Sequence, residues 1–381
     1  MKVLVHCVYF SPEVGGLESH VYYLCRALVG MGHQVEVVTS SSLPGVPEYE
    51  EMEGIRVWRT WFPSRSPLGW IAHSLGSIPM LARRAATGVD ILHAQAFASI
   101  PPCVSVAPLV GRRIPVVATF HTSHFLTRAE HALWRPVLGE LVRAPDYSLA
   151  ASQEIATVAE GLAPGTRVEA LTNGVETDLF RRVEPAFPEG VGPRIIVPRR
   201  LFPKNGVEYF IRAMPAILKE IPAVEALLVG DGPDGERLRA LAGELGISNS
   251  VRFLGARPHG EMPGLLSSAD LAVFPSLMEA TSVAALECMA CEVPVAASRV
   301  GGLPEIVDDR VGGLFEPADP GDLARRVVEL LGRKDLRGLG EEARRRVVEH
   351  WSNARLARRH LEIYEDLAQG PSVRPPGSPR T

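Results

Sequence analysis

Residues 271–297 read LAVFPSLMEATSVAALECMACEVPVAA. Leu271–Phe274 is an apolar run closed by Pro275, which cannot donate to a sheet ladder, so it predicts a short buried strand that stops there. From Ser282 the chain stays small and apolar for longer than a strand usually runs, which predicts a buried helix. Val293–Ala297 then predicts a second strand. Strand, loop, helix and strand in that order make the two strands parallel. A parallel sheet is covered on both faces, which is why no polar face shows in the stretch.

The alternation continues on either side. Downstream of residue 193 come predicted strands Arg194–Val197, Val224–Val229 and Val251–Leu254, with helices at Val207–Lys219, Gly235–Leu245 and Glu261–Ser268. Upstream, strands are predicted at Val3–Val8, Val35–Thr39, Ile55–Arg59, Asp90–His93, Val116–Phe120 and Tyr147–Ala150. Leu17, Val21, Leu24 and Leu28 mark one face of a helix that ends at Gly30 and Gly32. EPAFPEGVGP, residues 184–193, is rich in turn formers and sets the boundary. The predicted fold is therefore α/β, with two Rossmann-like parallel-sheet domains at 1–183 and 184–350. A segment at 351–368 reads as helix, and the composition of 369–381 predicts disorder. A length of 381 residues also predicts two domains. Ligands of such sheets gather at the carboxyl ends of the strands and, with two domains, in the cleft between them.

Composition narrows the function. Hydrophobic content of 46% and charged content of 22% describe a globular protein with ample core. A net charge of −4 gives no general attraction to nucleic acid, so no nucleic-acid partner is expected. Cys7, Cys25, Cys103, Cys288 and Cys291 are odd in number and scattered, which fits a reducing compartment. Cys288 and Cys291 share C-x-x-C spacing but lie inside the apolar helix with no second ligand pair, so packing is expected. No apolar run reaches the roughly 18 residues that cross a bilayer. MKVLVHCVYF reads as a first strand and not a signal peptide, so a cytoplasmic location is expected.

Glu279 and Glu287 stand eight positions apart, the first on the loop before the helix and the second about a turn and a half inside it. Thr281 or Ser282 is the predicted N-cap. The unpaired N–H groups of the first turn then offer an anion site at the positive end of the helix dipole. Phosphate on those groups and sugar hydroxyls on the carboxylates is one reading. The other is that Glu279 merely favours a helix start and Glu287 pairs with a surface cation. PRRLFPKNG places Arg199 and Lys204 on another strand-to-helix loop, where two cations can clamp a diphosphate. In the first domain, Gly15 and Gly16 of SPEVGGLESH permit close backbone approach to a ligand. That turn is not G-x-G-x-x-G, and the second strand ends in Thr39 and not in an acid, which argues against a nicotinamide dinucleotide. VVATFHTSH puts His121 at the carboxyl edge of a strand and His124 one turn on. Either faces the cleft or is hydrogen-bonded within its domain, and no metal-ligand spacing appears, so no metal is expected.

Taken together, PEVGGLESHVYYLCRALVGMGHQVEVVTS, TFHT, TNGVETDLF, PRRLFPKNG, VGDGP and PSLMEATSVAALECMACEVPVAASRVGGLPEIV resemble the GT-B glycosyltransferases of family 4, over about residues 2–367. The resemblance implies two domains facing across a cleft, with the last helix crossing back onto the first. It implies a retaining, metal-independent transferase that needs no cofactor and uses a UDP- or GDP-linked sugar. Glu279 would contact the donor sugar near the reacting carbon, Glu287 the ribose, and Arg199 and Lys204 the leaving diphosphate. Backbone N–H groups at Thr281, Ser282 and Val283 would bind donor oxygens. Gly15 and Gly16 would lie at the diphosphate, and His121 near the transferred sugar. The family's usual retention mechanism is front-face attack, with the donor phosphate taking the acceptor proton, so Glu279 is not read as a nucleophile.

Two departures stand out. Ala280-Thr281-Ser282 replaces a glycine-rich segment and bears on donor identity, and Glu292 replaces a glycine, which implies an altered turn. The acceptor is a saccharide, a lipid or a small molecule. WFPSRSPLGWIAHSLGSIPMLARR, residues 61–84, interleaves Trp61, Phe62 and Trp70 with arginines. It would either rest peripherally on the inner face of a membrane or pack on the core, and core packing is the expectation. Competing readings are another GT-B sugar-nucleotide enzyme, such as an epimerase or synthase, and a non-catalytic sugar-nucleotide-binding partner.

Overall fold

The computed structural model describes residues 1–369 apart from Val14, Thr122, Glu189, Ala280 and Thr281, and apart from the side chains of Ser123 and His124. The chain forms two compact units, one made of Met1–Leu171 with the C-terminal segment from Ala354, the other of Thr172–Asn353.

In the first unit, β1 (Lys2–His6), β2 (Gln34–Ser40), β3 (Tyr49–Met52), β4 (Ile55–Thr60), β5 (Ile91–Gln95), β6 (Val116–Phe120), β7 (Tyr147–Ala150) and β8 (Val168–Ala170) form one sheet. Its order is β3-β4-β2-β1-β5-β6-β7-β8. Only β3, at the edge, runs antiparallel to its neighbour. The chain winds outward from β1 in both directions, so the crevice at a switch of winding lies beside the end of β1. Helix α1 (Gly16–Gly30) starts there and buries Val21, Leu24, Cys25 and Leu28 against β1 and β2.

In the second unit, β9 (Arg194–Pro198), β10 (Glu225–Val229), β11 (Val251–Gly255), β12 (Leu271–Phe274), β13 (Val295–Ser298) and β14 (Gly312–Phe315) form an all-parallel sheet. The order β11-β10-β9-β12-β13-β14 puts the switch of winding between β9 and β12. Alternate residues of these strands enter different cores. Ile195 and Val197 join Leu271 and Val273 on one face, while Ile196 joins Ala272 and Phe274 on the other. Both faces are therefore apolar, as the opening stretch requires.

The boundary falls after Leu171 and not at residue 183. Val175 and Phe180 explain the difference, because both are buried in the core of the second unit and Arg344 donates to the Phe180 carbonyl at 3.0 Å. The helix Asn353–Ala368 packs Ala357, Ile363 and Tyr364 into the core of the first unit. Arg359 forks onto Glu169 there, with Nε and Nη2 at 2.7 and 2.8 Å from its two oxygens. Strands β3, β8 and β14 are additions to the sequence reading.

Glu292 corrects an expectation. Its φ is +62°, so the turn keeps the left-handed conformation with a non-glycine residue in it. Two hydrogen bonds impose it: Glu292 N–H donates to the Met289 carbonyl and Val293 N–H to the Cys288 carbonyl, both at 3.0 Å, the pairing of a Schellman helix end. Cys288 and Cys291 are buried, unpaired thiols.

Candidate active site

The loops after β9 and β12 flank the switch of winding in the second unit. They are stitched together, because Leu277 N–H donates to the Lys204 carbonyl at 2.8 Å. Ser298 Oγ donates to the Ser276 carbonyl at 2.6 Å and ties the second loop to β13. Arg199 leaves β9 and points into this junction. Its Nη2 lies 2.5 Å from Glu279 Oε2 and 2.9 Å from both Asn205 Oδ1 and Ser276 Oγ. The pair is largely withdrawn from water, with side chains 10% and 15% exposed. A charge pair this dry is retained only where geometry or function demands it. Arg199 Nε is buried too and has no hydrogen-bond partner among the described residues. An unsatisfied N–H on a buried cation is a donor that an anionic ligand can complete.

Lys204 lies at the surface beside this pair. The protein packed around its ammonium pushes its pKa below the usual lysine value, Glu279 pulls it back up, and Arg200 and Arg199 push it down. Three cations and one carboxylate thus face each other across two short loops.

Ser282 caps the helix Val283–Ala290, its Oγ accepting from Ala285 N–H at 3.4 Å. The N–H of Val283 therefore lies in the first turn, where no intrahelical acceptor exists. Thr281, the alternative cap, is outside the described residues. Among the described residues Glu287 pairs with a histidine and not with a lysine or arginine. Its Oε1 lies 3.0 Å from His259 Nε2, and the His259 ring packs edge-on against Phe180 at 4.9 Å.

The first-unit residues are placed as follows. Gly15 opens α1 in extended backbone, and a Cβ on it would strike the Glu18 carboxylate at 2.2 Å. A Cβ on Gly16 would stand in open space. His121 follows β6 at the carboxyl edge of the sheet, as read from the sequence, and is also hydrogen-bonded within its unit. Its Nε2 lies 2.5 Å from Gln95 Oε1, and its ring 4.8 Å from that of His20. The His124 side chain is outside the described residues.

Asn205, Ser276 and His259 were not singled out in the sequence. Asn205 reads as a turn residue beside Gly206, and only the fold reveals that it holds Arg199. His259 sits in the loop RPHGE, twenty-eight positions from Glu287, with no local signal.

Residues 61–84 pack on the core in part: His73, Ser77 and Leu81 are buried, while several large apolar side chains of the segment are not. Helix α2 (Pro67–Gly76) turns Gly69, His73 and Ser74 inward. Leu68, Ile71 and Leu75 point out, 78%, 57% and 64% exposed, next in sequence to Trp61 at 71%. Arg128 lies over the rings of Trp70, Phe97 and Trp134, at 5.7, 5.0 and 5.7 Å. No helix among the described residues is long and apolar enough to cross a membrane.

Comparison with known proteins gives a consistent result. The family model for glycosyl transferases group 1 matches residues 184–346, and that for glycosyltransferase family 4 matches residues 14–179. A phosphatidylinositol N-acetylglucosaminyltransferase subunit of Arabidopsis thaliana is 27% identical over 86% of this chain and 73% of its own. D-inositol 3-phosphate glycosyltransferase of Salinispora arenicola is 30% identical over 95% of this chain and 90% of its own. Among solved structures, sucrose-phosphate synthase from Thermosynechococcus elongatus matches with a TM-score of 0.82 at 24% identity, over 96% of this chain and 98% of that one.

Proposed function

Because the chain belongs to glycosyltransferase family 4, and so is a transferase of the GT-B type, we propose that it moves a hexose or N-acetylhexosamine, with retention, from a UDP- or GDP-linked donor to a lipid acceptor. The observation that carries the reading is the buried Arg199–Glu279 pair at the ends of β9 and β12, with Lys204 beside it and one Arg199 N–H unsatisfied.

In this reading the diphosphate meets Arg199 and Lys204, and its oxygens complete the Arg199 Nε donor and the first-turn N–H groups at Ser282 and Val283. Fixed cations stabilise the charge that grows on the leaving diphosphate, and they do so without reorganising in the transition state. They also stand where a divalent cation would otherwise neutralise it, so no metal is needed. Glu279 accepts from a hydroxyl of the donor sugar near the reacting carbon, and Glu287, oriented by His259, accepts from the ribose. The bond from the anomeric carbon to the phosphate oxygen breaks as the acceptor oxygen bonds the same face, and the acceptor proton passes to the leaving phosphate.

Two observations favour a lipid acceptor. Helix α2 shows its aliphatic side to water, an arrangement that suits an interfacial helix on a membrane surface. The name of the Arabidopsis relative specifies phosphatidylinositol. The experiment is a panel of UDP- and GDP-sugars given to the purified protein without added metal, with lipid vesicles as acceptor. Transfer from one donor with the anomeric configuration kept supports the reading. Conversion of the donor with no acceptor present would assign the epimerase alternative, and loss of all turnover with the fold intact the non-catalytic one.

A further inference from the structure

Two ion pairs of the first unit are made fork to fork. Arg84 donates from Nε and Nη2 to the two oxygens of buried Glu36 at 2.6 and 2.9 Å, and Arg359 grips Glu169 in the same way. In such a pair both carboxylate oxygens are taken by N–H groups. The pair at the candidate site is built differently. Arg199 Nη2 stands 2.5 Å from Glu279 Oε2, yet Oε2 is a buried oxygen that accepts no hydrogen bond among the described residues. Oε1 accepts none from them either. Buried polar atoms are nearly always satisfied, so an orphaned carboxylate oxygen beside a cation calls for a reason.

The count of hydrogens supplies it. Nη2 carries two, and both are used: one is donated to Asn205 Oδ1 and the other to Ser276 Oγ, each at 2.9 Å. Glu279 lies off both N–H directions, so it feels the charge of Arg199 without receiving a hydrogen bond. The fold fixes the two competing acceptors. Asn205 is buried, and its Nδ2 donates to the Arg200 carbonyl at 2.6 Å, which turns the amide so that Oδ1 faces Arg199. Ser276 is wholly buried just after β12, its carbonyl held by the Ser298 hydroxyl. The loops that carry them touch at Gly206, where a Cβ would come within 1.8 Å of the Pro275 carbonyl oxygen.

We propose that Asn205 and Ser276 are positioning residues that occupy the Nη2 hydrogens of Arg199, so that Glu279 is charge-balanced while its acceptor positions stay free for a hydroxyl of the donor sugar. With Oε2 buried, Oε1 is the oxygen that meets the sugar. An acceptor kept open in this way takes a hydroxyl without first giving up a hydrogen bond of its own. The proposal rests on the proposed function only where it names the donor sugar.

One arm of the test needs no ligand. Crystal structures of native protein and Ser276→Ala are expected to differ at the guanidinium, which in the variant turns its released Nη2–H onto Glu279 Oε2. A native structure with an N–H already directed at Glu279 overturns the proposal, as does a Ser276→Ala structure with the guanidinium unmoved. The other arm is calorimetry with paired probes, UDP against UDP-glucose and GDP against GDP-mannose. Ser276→Ala is expected to lower the preference for the sugar nucleotide over its bare nucleotide by about tenfold, the loss of a hydrogen bond to a charged group. Its affinity for the bare nucleotide should stay near the native value. Asn205→Ala, made in parallel with both melting temperatures measured, is expected to do the same. Equal weakening of nucleotide and sugar nucleotide is the mark of a loosened loop and also overturns the proposal. If native protein binds neither nucleotide, the functional reading fails and the crystal structures alone decide how the Arg199 hydrogens are held.

Discussion

Gly301 offers a perturbation whose size follows from the coordinates. It turns the chain after β13 with φ +53°, facing the backbone of Glu279. A Cβ added there would lie 1.5 Å from the Glu279 carbonyl oxygen and 2.7 Å from its carbon. Contacts of a Cβ under 3.0 Å essentially never occur, so 3.0 − 1.5 = 1.5 Å is the least the Glu279 backbone must yield. Glu279 meets Arg199 at 2.5 Å, and a shift of that size parts them. A misplacement of about 1 Å costs on the order of a hundredfold in rate, so Gly301→Ala is expected to lower kcat by about that factor or more. Gly246→Ala separates clash from backbone strain. Gly246 also has a left-handed φ, +69°, but nothing lies within 4 Å of its would-be Cβ. It carries roughly the same 1 kcal/mol of strain and should keep its activity. The assay is nucleotide release at saturating donor, with circular dichroism and melting temperature for both variants. A Gly301→Ala enzyme within about threefold of native kcat, a barrier change under 1 kcal/mol, refutes the claim that this contact holds Glu279 in place for the reaction.

Three further perturbations test other parts of the account. Glu292→Gly removes a side chain from a left-handed turn and is expected to stabilise the second unit by about 1 kcal/mol, read by chemical denaturation; a loss of stability would show that the turn does not constrain the residue. Glu169 is held below its ordinary pKa of 4.5, by its hydrogen bond from Arg359 first and against the effect of burial. Because its folded pKa is depressed, its stabilising contribution is present above about pH 4.5 and fades as pH falls through the folded value. Arg359→Ala should therefore melt below native at pH 7, with the gap closing in acid; a gap independent of pH would contradict the assignment. Replacing Leu68, Ile71 and Leu75 together by serine is expected to abolish sedimentation with anionic vesicles and to leave donor hydrolysis unchanged, whereas unchanged sedimentation would remove α2 from the membrane reading.

The two-unit fold was legible because its strands are buried on both faces. LAVF and VEALLV carry no competing pattern, so strand and helix alternate plainly along the chain. What escaped had a physical reason. Strand β14 is Gly312–Phe315, whose two leading glycines hide it, and β8 is three residues long. The domain boundary was misplaced because Pro and Gly mark turns, whereas Phe180, ahead of them, already belongs to the second core. Within the candidate site, Arg199, Lys204 and Glu279 stood out in the sequence as charges on short strand-end loops, and Glu287 as a charge inside an apolar helix. Their supports did not. Asn205, Ser276 and His259 act through contacts across 5 to 77 positions, and each looks ordinary in its own segment. Helix α2 does turn Gly69, His73 and Ser74 inward, but an uncharged stretch gives no sign that Leu68, Ile71 and Leu75 stay outside.

The measurement closest to the central claim is nucleotide binding by calorimetry, with UDP and GDP titrated into native protein and into Arg199→Met. The account predicts that one of the two nucleotides binds native protein and that Arg199→Met, still folded, binds it about tenfold or more weakly, the loss of a charge-assisted hydrogen bond worth roughly 1.5–3 kcal/mol. Equal affinity in the two proteins, or no binding of either nucleotide to native protein, would contradict it.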